Sequence, residues 1–150
     1  MATIRPAGIQ EAGAVTTVVR EAYAKYVGRI GREPAPMLVD YGAAIQAGEA
    51  WVLVEGDDTS GVLVMRSEND HLFVETLAVR PDRQGSGLGR RLMAFAEEAA
   101  RSRGLREIRL YTNERMEENI PFYRSLGFEE TGRRLDEGYQ RVFMKKRSGL

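Results

Sequence analysis

Cysteine is absent from all 150 residues of the chain. Its absence rules out disulfides, thiolate zinc sites and an acyl-cysteine intermediate. No metal site is expected. Long apolar runs are lacking too: none approaches the ~20 residues that span a bilayer, and the opening Met1-Ala2-Thr3-Ile4-Arg5 holds no apolar signal core. No membrane partner and a cytoplasmic location are therefore expected. Net charge is missing as well, with 22 lysines plus arginines against 22 aspartates plus glutamates. Such a balance leaves no global basic field for nucleic acid. There is no internal repeat, linker or low-complexity tract, and 43% hydrophobic residues suit one core, so residues 1–150 are expected to form a single domain.

What is present is a change of period along the chain. Thr3-Ile4-Arg5 reads as a short edge strand stopped by Pro6 and Gly8. Apolar residues at Ala12, Val15, Val18, Val19, Ala22, Tyr23 and Tyr26 predict a helix from about Ile9 to Val27, with Gly28 as its stop, then a loop to Pro36. A second short helix is predicted from Met37 to about Ala47. Ala50–Val54 and Gly61–Met65 read as an antiparallel hairpin, and His71 to Val79 as the next strand of a meander. Leu88, Leu92, Phe95, Ala96, Ala99 and Ala100 then mark one helix face, Gly104 ends that helix, and Glu107 to Thr112 is again extended. Strand, helix, strand in this order predicts a crossover between parallel neighbours. A last helix, about Glu118 to Leu126, takes Pro121 in its first turn, where its missing N–H is harmless. Phe128–Leu135 and Tyr139–Lys145 close the chain as a hairpin across Asp136-Glu137-Gly138. The fold class is α+β: a mixed, mostly antiparallel sheet of about seven strands with four helices.

The junction between the His71–Val79 strand and the helix after it carries the chemistry. Gln84-Gly85-Ser86-Gly87-Leu88-Gly89 places three glycines where the first N–H groups of a helix have no internal partner and meet the positive end of its dipole. A dinucleotide fingerprint does not fit, because Arg90 stands where its third glycine belongs and an antiparallel meander precedes the turn. A P-loop is excluded, since neither Lys-Ser nor Lys-Thr follows. Arg80, Arg83, Arg90 and Arg91 outnumber Asp82 around the turn, a local positive patch in a neutral chain that suits phosphates.

At these residues the chain resembles the GNAT superfamily of acyl-CoA-dependent N-acyltransferases. The pattern extends to Leu77-Ala78-Val79-x-Pro81 before the turn and to Asn119-x-x-Phe122-Tyr123-x-x-x-Gly127-Phe128 after it. The order of elements is similar over nearly the whole chain, and the β-α-β crossover falls at the turn. Leu110-Tyr111-Thr112-Asn113-Glu114-x-Met116-x-x-Asn119 looks like a group of bacterial small-molecule or general N-acetyltransferases.

The resemblance implies acetyl-CoA as cosubstrate, its diphosphate on the backbone of Gln84, Gly85, Ser86, Gly87, Leu88, Gly89 and Arg90, with Arg83 beside them. It also implies that Leu77 and Val79 offer backbone groups to the pantetheine arm and that Asn119 bonds the middle of the cofactor; as a residue type, Asn119 serves equally as a helix N-cap. Tyr123 stands where a hydroxyl can protonate the leaving thiolate. Amine acetylation also needs a base, and on the strand before the turn His71, Phe73 and Glu75 share one face. Glu75 is favoured over His71. Tyr23, Tyr26 and the loop from Gly28 to Pro36 are implied to face the acceptor, with Glu33, Asp40 and Tyr41 able to attract a cationic amine. The activity implied is acetyl transfer to a primary amine of a small molecule or peptide, and the partner expected is that amine, with a homodimer compatible. A non-catalytic acyl-CoA-binding or regulatory module is the competing reading.

Overall fold

In the computed structural model, which describes residues 1–150, half-buried and buried residues alternate without a break along His71–Val79 (β4). Such a strand packs on both faces and belongs in the middle of a sheet. It is the fourth of seven strands, the others being Ala2–Pro6 (β1), Ala50–Glu55 (β2), Asp58–Ser67 (β3), Glu107–Asn113 (β5), Glu129–Asp136 (β6) and Tyr139–Arg147 (β7). Their order is β1-β2-β3-β4-β5-β7-β6. All neighbours are antiparallel except β4 and β5, which are parallel. The closing β6–β7 hairpin turns on Glu137 and Gly138, both at positive φ (52° and 82°), as a two-residue turn between twisted strands requires.

Two irregularities shape the site. The β4–β5 ladder holds only from His71 opposite Glu107 to Phe73 opposite Arg109; beyond it the strands diverge and a V-shaped gap opens between Val74–Val79 and Leu110–Asn113. On the other side of β4, Val64 faces Thr76 while Met65 faces Val74, so Glu75 is an extra residue bulging from the strand. A bulge reverses the alternation. Leu72 and Val74 accordingly enter the core under one face, whereas Ala78 enters the core under the other.

Leu88–Ser102 (α4) covers the first face with Leu88, Leu92, Met93, Ala96 and Ala100, all buried at helical spacing. Ala12–Tyr23 (α1) and Tyr41–Gln46 (α3) cover the second through Val15, Val19 and Tyr41. Asn119–Ser125 (α5) carries Pro121 in its first turn and stops before Gly127, at φ 98°. No helix is long and apolar enough to cross a membrane.

The sequence reading needs two corrections here. Gly28 does not end the first helix: after α1 the chain passes through a 3-10 turn, Ala24–Tyr26, into the one-turn helix Val27–Ile30 (α2). The stop is Gly31, which takes the left-handed conformation (φ 87°) of a helix C-terminus, while Gly28 is an ordinary helical glycine. The second helix is also shorter than Met37–Ala47. Val39 and Asp40 are extended, and the Asp40 carboxylate accepts from the Ala43 N–H at 3.1 Å, so a strong N-cap decides the start of α3 over the apolar spacing upstream. Met37 and Leu38 belong instead to a 3-10 turn, Ala35–Leu38.

Candidate functional site

The turn between β4 and α4 is built from backbone. Pro81–Arg83 makes one 3-10 turn, Gln84 is extended, and Gly85 and Gly87 take φ of 82° and 87°. A side chain at either would be strained. The result is six consecutive N–H groups, from Gly85 through Arg90, that donate to nothing within the chain; the first helical bond is Arg91 N–H to the Gly87 carbonyl. Together with the α4 dipole this row is a receptor for an anion. Gly89 has another reason to be glycine: a Cβ there would meet Phe122 Cζ at 3.1 Å.

From the turn an open cleft runs along the free edge of β4 toward α5. Two backbone carbonyls of β4 point into it. That of Leu77 accepts from the Tyr23 hydroxyl (3.1 Å) and that of Val79 from the Gln84 side-chain amide (3.0 Å). A carbonyl oxygen has two lone pairs, so both can still receive amide N–H groups of an extended ligand.

A second, narrower cavity continues from the first through the V between β4 and β5. Tyr23, Leu77, Asn119 and Tyr123 line both. Tyr123 is 6% exposed, and its hydroxyl makes no hydrogen bond inside the protein although it is not walled off. Burial, and secondarily the nearby Tyr26, pushes its pKa up, so it stays protonated at neutral pH. Glu75 faces the second cavity with Oε2 held by Arg66 Nη1 at 3.1 Å. The arrangement brings an anion cradle, a channel with free backbone acceptors, a protonated phenol and a carboxylate into one continuous path.

Residues 16–128, most of the chain, match the family model described as Acetyltransferase (GNAT) family. The chain belongs to this family. Over 91 residues, 61% of the chain, this GNAT protein is 40% identical to the mycothiol acetyltransferase of Thermobifida fusca (strain YX), 27% of whose length is covered. It spans less than half the length of the curated relatives it matches. Among solved structures it superposes on PaiA N-acetyltransferase from Thermoplasma acidophilum in complex with coenzyme A (TM-score 0.79, 17% identity, 98% of this chain and 99% of that one). It also superposes on the Escherichia coli ribosomal-protein-S18-alanine N-acetyltransferase (TM-score 0.81, 20% identity, 100% and 96%). Likeness at that identity is a likeness of fold.

Against this GNAT frame the residues singled out from sequence divide into groups. Leu77, Val79, Gln84, Gly85, Gly87 to Arg90, Asn119 and Tyr123 line the path, whereas Ser86 turns its Oγ back onto the Arg83 carbonyl and offers only its N–H to the row. Asn119 is not an N-cap: that place is held by Glu118, and the Asn119 amide instead points at Thr112 Oγ1 (3.4 Å) and Met116 Sδ (3.5 Å) between the two cavities. Asn113 accepts from the Arg115 N–H, a turn role.

The positive patch is smaller than its sequence suggests. Arg83 makes a two-point ion pair with Glu55 (2.7 and 2.7 Å), which holds that carboxyl down at about 2, and Arg80 pairs with Asp82. Arg90, bonded to Ser125, and Arg91, bonded to the Ala2 carbonyl, keep their charge free of carboxylates. His71 lies away from Tyr123, bonded to Asp70 at 2.8 Å in a separate groove. Glu33 pairs with Arg20, Asp40 caps α3 and Tyr41 is buried against Thr76 and the Pro36 carbonyl; none of the three lines the second cavity, whose wall on that side is Ala35, Pro36 and Val39. Residues that the sequence did not flag are Arg141 and Tyr139 of β7 in the cavity and Glu118 at the cleft mouth, where Arg29, Lys25 and Tyr26 gather around its carboxylate. Nothing local marks Tyr139 and Arg141, since β7 reaches the site only by pairing with β5.

Proposed function

We propose that the chain is an N-acetyltransferase that moves the acetyl group of acetyl-CoA directly to a primary amine of a small molecule or peptide, and that residues 1–150 form one domain for this task. The observation that carries it is the row of six unpartnered N–H groups opening onto a cleft whose far end is Tyr123. The cofactor's diphosphate fits that row, and its two pantetheine amides fit the cleft-facing carbonyls of Leu77 and Val79, with Asn119 at the middle of the arm. Arg83 acts through Glu55 by fixing the turn, leaving Arg90 as the free cation beside the phosphates.

In this reading the amine enters the second cavity, loses a proton to Glu75 directly or through water, and attacks the thioester carbonyl in the V. The new N–C bond forms as the C–S bond breaks. The attacking nitrogen sheds its second proton as the amide forms, and Tyr123, kept protonated by burial, gives its proton to the departing sulfur and is reprotonated. An ammonium acceptor thus loses two protons, one through Glu75 to solvent and one matched by the proton that arrives on CoA.

The test is CoA release from acetyl-CoA across a panel of amines, with the acetylated product identified by mass spectrometry. Amine-dependent release supports the reading. Tight binding of acetyl-CoA with no amine raising release above hydrolysis would show a non-catalytic acyl-CoA-binding module instead.

A further inference from the structure

The second cavity contains one cation, and it is nearly enclosed. Arg141 stands on β7 opposite Asn113 of β5, with its side chain only 6% exposed. Its guanidinium lies over the Tyr111 ring at 4.1 Å and near that of Tyr139 at 5.7 Å. Flanked by aromatic rings, the planar fork has a fixed orientation. Nη1 donates to Asp136 Oδ2 at 2.8 Å, while Glu137 stays at 3.8 Å, beyond hydrogen-bond reach. Nη2 is the nitrogen that faces Glu137 at that ion-pair distance, and neither it nor Nε makes a hydrogen bond within the protein. The only walled-off side-chain polar atom without a partner is Trp51 Nε1, so Nε and Nη2 of Arg141 open onto the cavity that the residue lines. These two nitrogens form the edge of a guanidinium that grips a carboxylate at two points.

Glu75 faces the same cavity from β4, with Tyr111 of β5 between it and Arg141. Both stand beyond the end of the β4–β5 ladder, on strands either side of β5, and both line the cavity. The cavity thus offers one anionic and one cationic contact, tied by opposite walls. A polycation would meet Arg141 as a like charge. A neutral amine would leave the Nε–Nη2 edge of Arg141 without an acceptor.

We propose that the acceptor is an amine that also carries a carboxylate, its ammonium toward Glu75 and its carboxylate on Nε and Nη2 of Arg141. This deepens the acetyl-transfer reading and rests on it. Arg141 is then a specificity-determining residue, since it holds the acceptor and takes no part in the proton transfers.

The experiment compares amino acids, each offered as the free carboxylate and as the carboxamide, in CoA release by the unaltered protein. The expected result is a kcat/KM at least about tenfold higher for carboxylates, the size of one charge-assisted hydrogen bond, and expressed in KM more than in kcat. In Arg141→Gln that preference should fall toward one, and Arg141→Lys, which keeps the charge without the fork, should retain part of it. Carboxamides or polyamines turned over as well as carboxylates by the unaltered protein would overturn the proposal while acetyl transfer stands. Acetyl-CoA binding with no transfer to any amine would overturn both. The comparison in the unaltered protein decides even if the Arg141 variants do not fold.

Discussion

The two cavities that meet at Tyr123 are made of different material. The cleft along β4 and the turn presents main chain: six free N–H groups from Gly85 to Arg90 and the carbonyls of Leu77 and Val79. The cavity in the V presents side chains, Glu75, Tyr111, Tyr139 and Arg141, from three strands. A main-chain site depends on backbone conformation and tolerates many side chains around it, whereas a side-chain site changes whenever one residue does. The difference implies that the cofactor end of such a protein is set by its fold and the acceptor end by individual residues. Substitutions should therefore separate into two classes, one losing CoA binding and one losing turnover or acceptor choice.

The largest effect is expected where the halves join. Tyr123→Phe should lower kcat by about 10²–10⁴-fold, the usual range for a positioned proton donor, with CoA affinity and melting temperature nearly unchanged because the hydroxyl has no partner in the protein. In the unaltered protein the raised pKa of Tyr123 keeps its ionisation above the ordinary value of about 10. Since the folded state holds this proton more tightly than the unfolded chain, its contribution to stability is intact below pH ~10 and is lost above it. A pH–rate profile should show no decline from this group below that pH.

Gly87→Asp comes next and breaks the main-chain half alone. It forces a side chain onto φ 87° and puts a carboxylate among the unpartnered donors that the proposal assigns to phosphates, so CoA affinity measured by calorimetry should fall about 10²–10³-fold, one to two lost charge-assisted bonds. A Cβ there has open space around it, and the fold should survive. Glu75→Gln breaks the other half, with kcat reduced roughly 10²-fold, the low end for a base, and CoA affinity kept. His71→Asn, in its separate groove, should be nearly silent; if it takes the loss instead, the base has been misassigned. The smallest effect sharpens the distinction inside the turn. Gly89→Ala keeps its N–H but presses on Phe122, so stability should drop on the order of 1 kcal/mol, overpacking set against the better helix propensity of alanine, with CoA affinity retained.

The same contrast explains what could be read from the chain. Glycine reports backbone conformation directly, so Gln84 to Gly89 mark the turn, and the strand expected from His71 to Val79 has the limits observed for β4. Side-chain convergence leaves no local trace. Val74-Glu75-Thr76 contains nothing that marks a bulge, Arg83 finds Glu55 across 28 residues, and Arg141 reaches the cavity because β7 inserts between β5 and β6. The Gly28 error has the same root: the residue type alone does not say which glycine takes the left-handed φ, and in the structure that is Gly31, three residues on.

The central claim is that the unpartnered N–H groups of the turn hold the diphosphate of acetyl-CoA, and backbone amide NMR reads those groups one by one. Titration with CoA should move the amide resonances of Gly85 to Arg90 most, with smaller shifts along Leu77 to Val79, and pantetheine without the nucleotide should move the latter only. If CoA binds while the amides of Gly85 to Arg90 stay in place, the cradle holds no phosphate and the account is wrong.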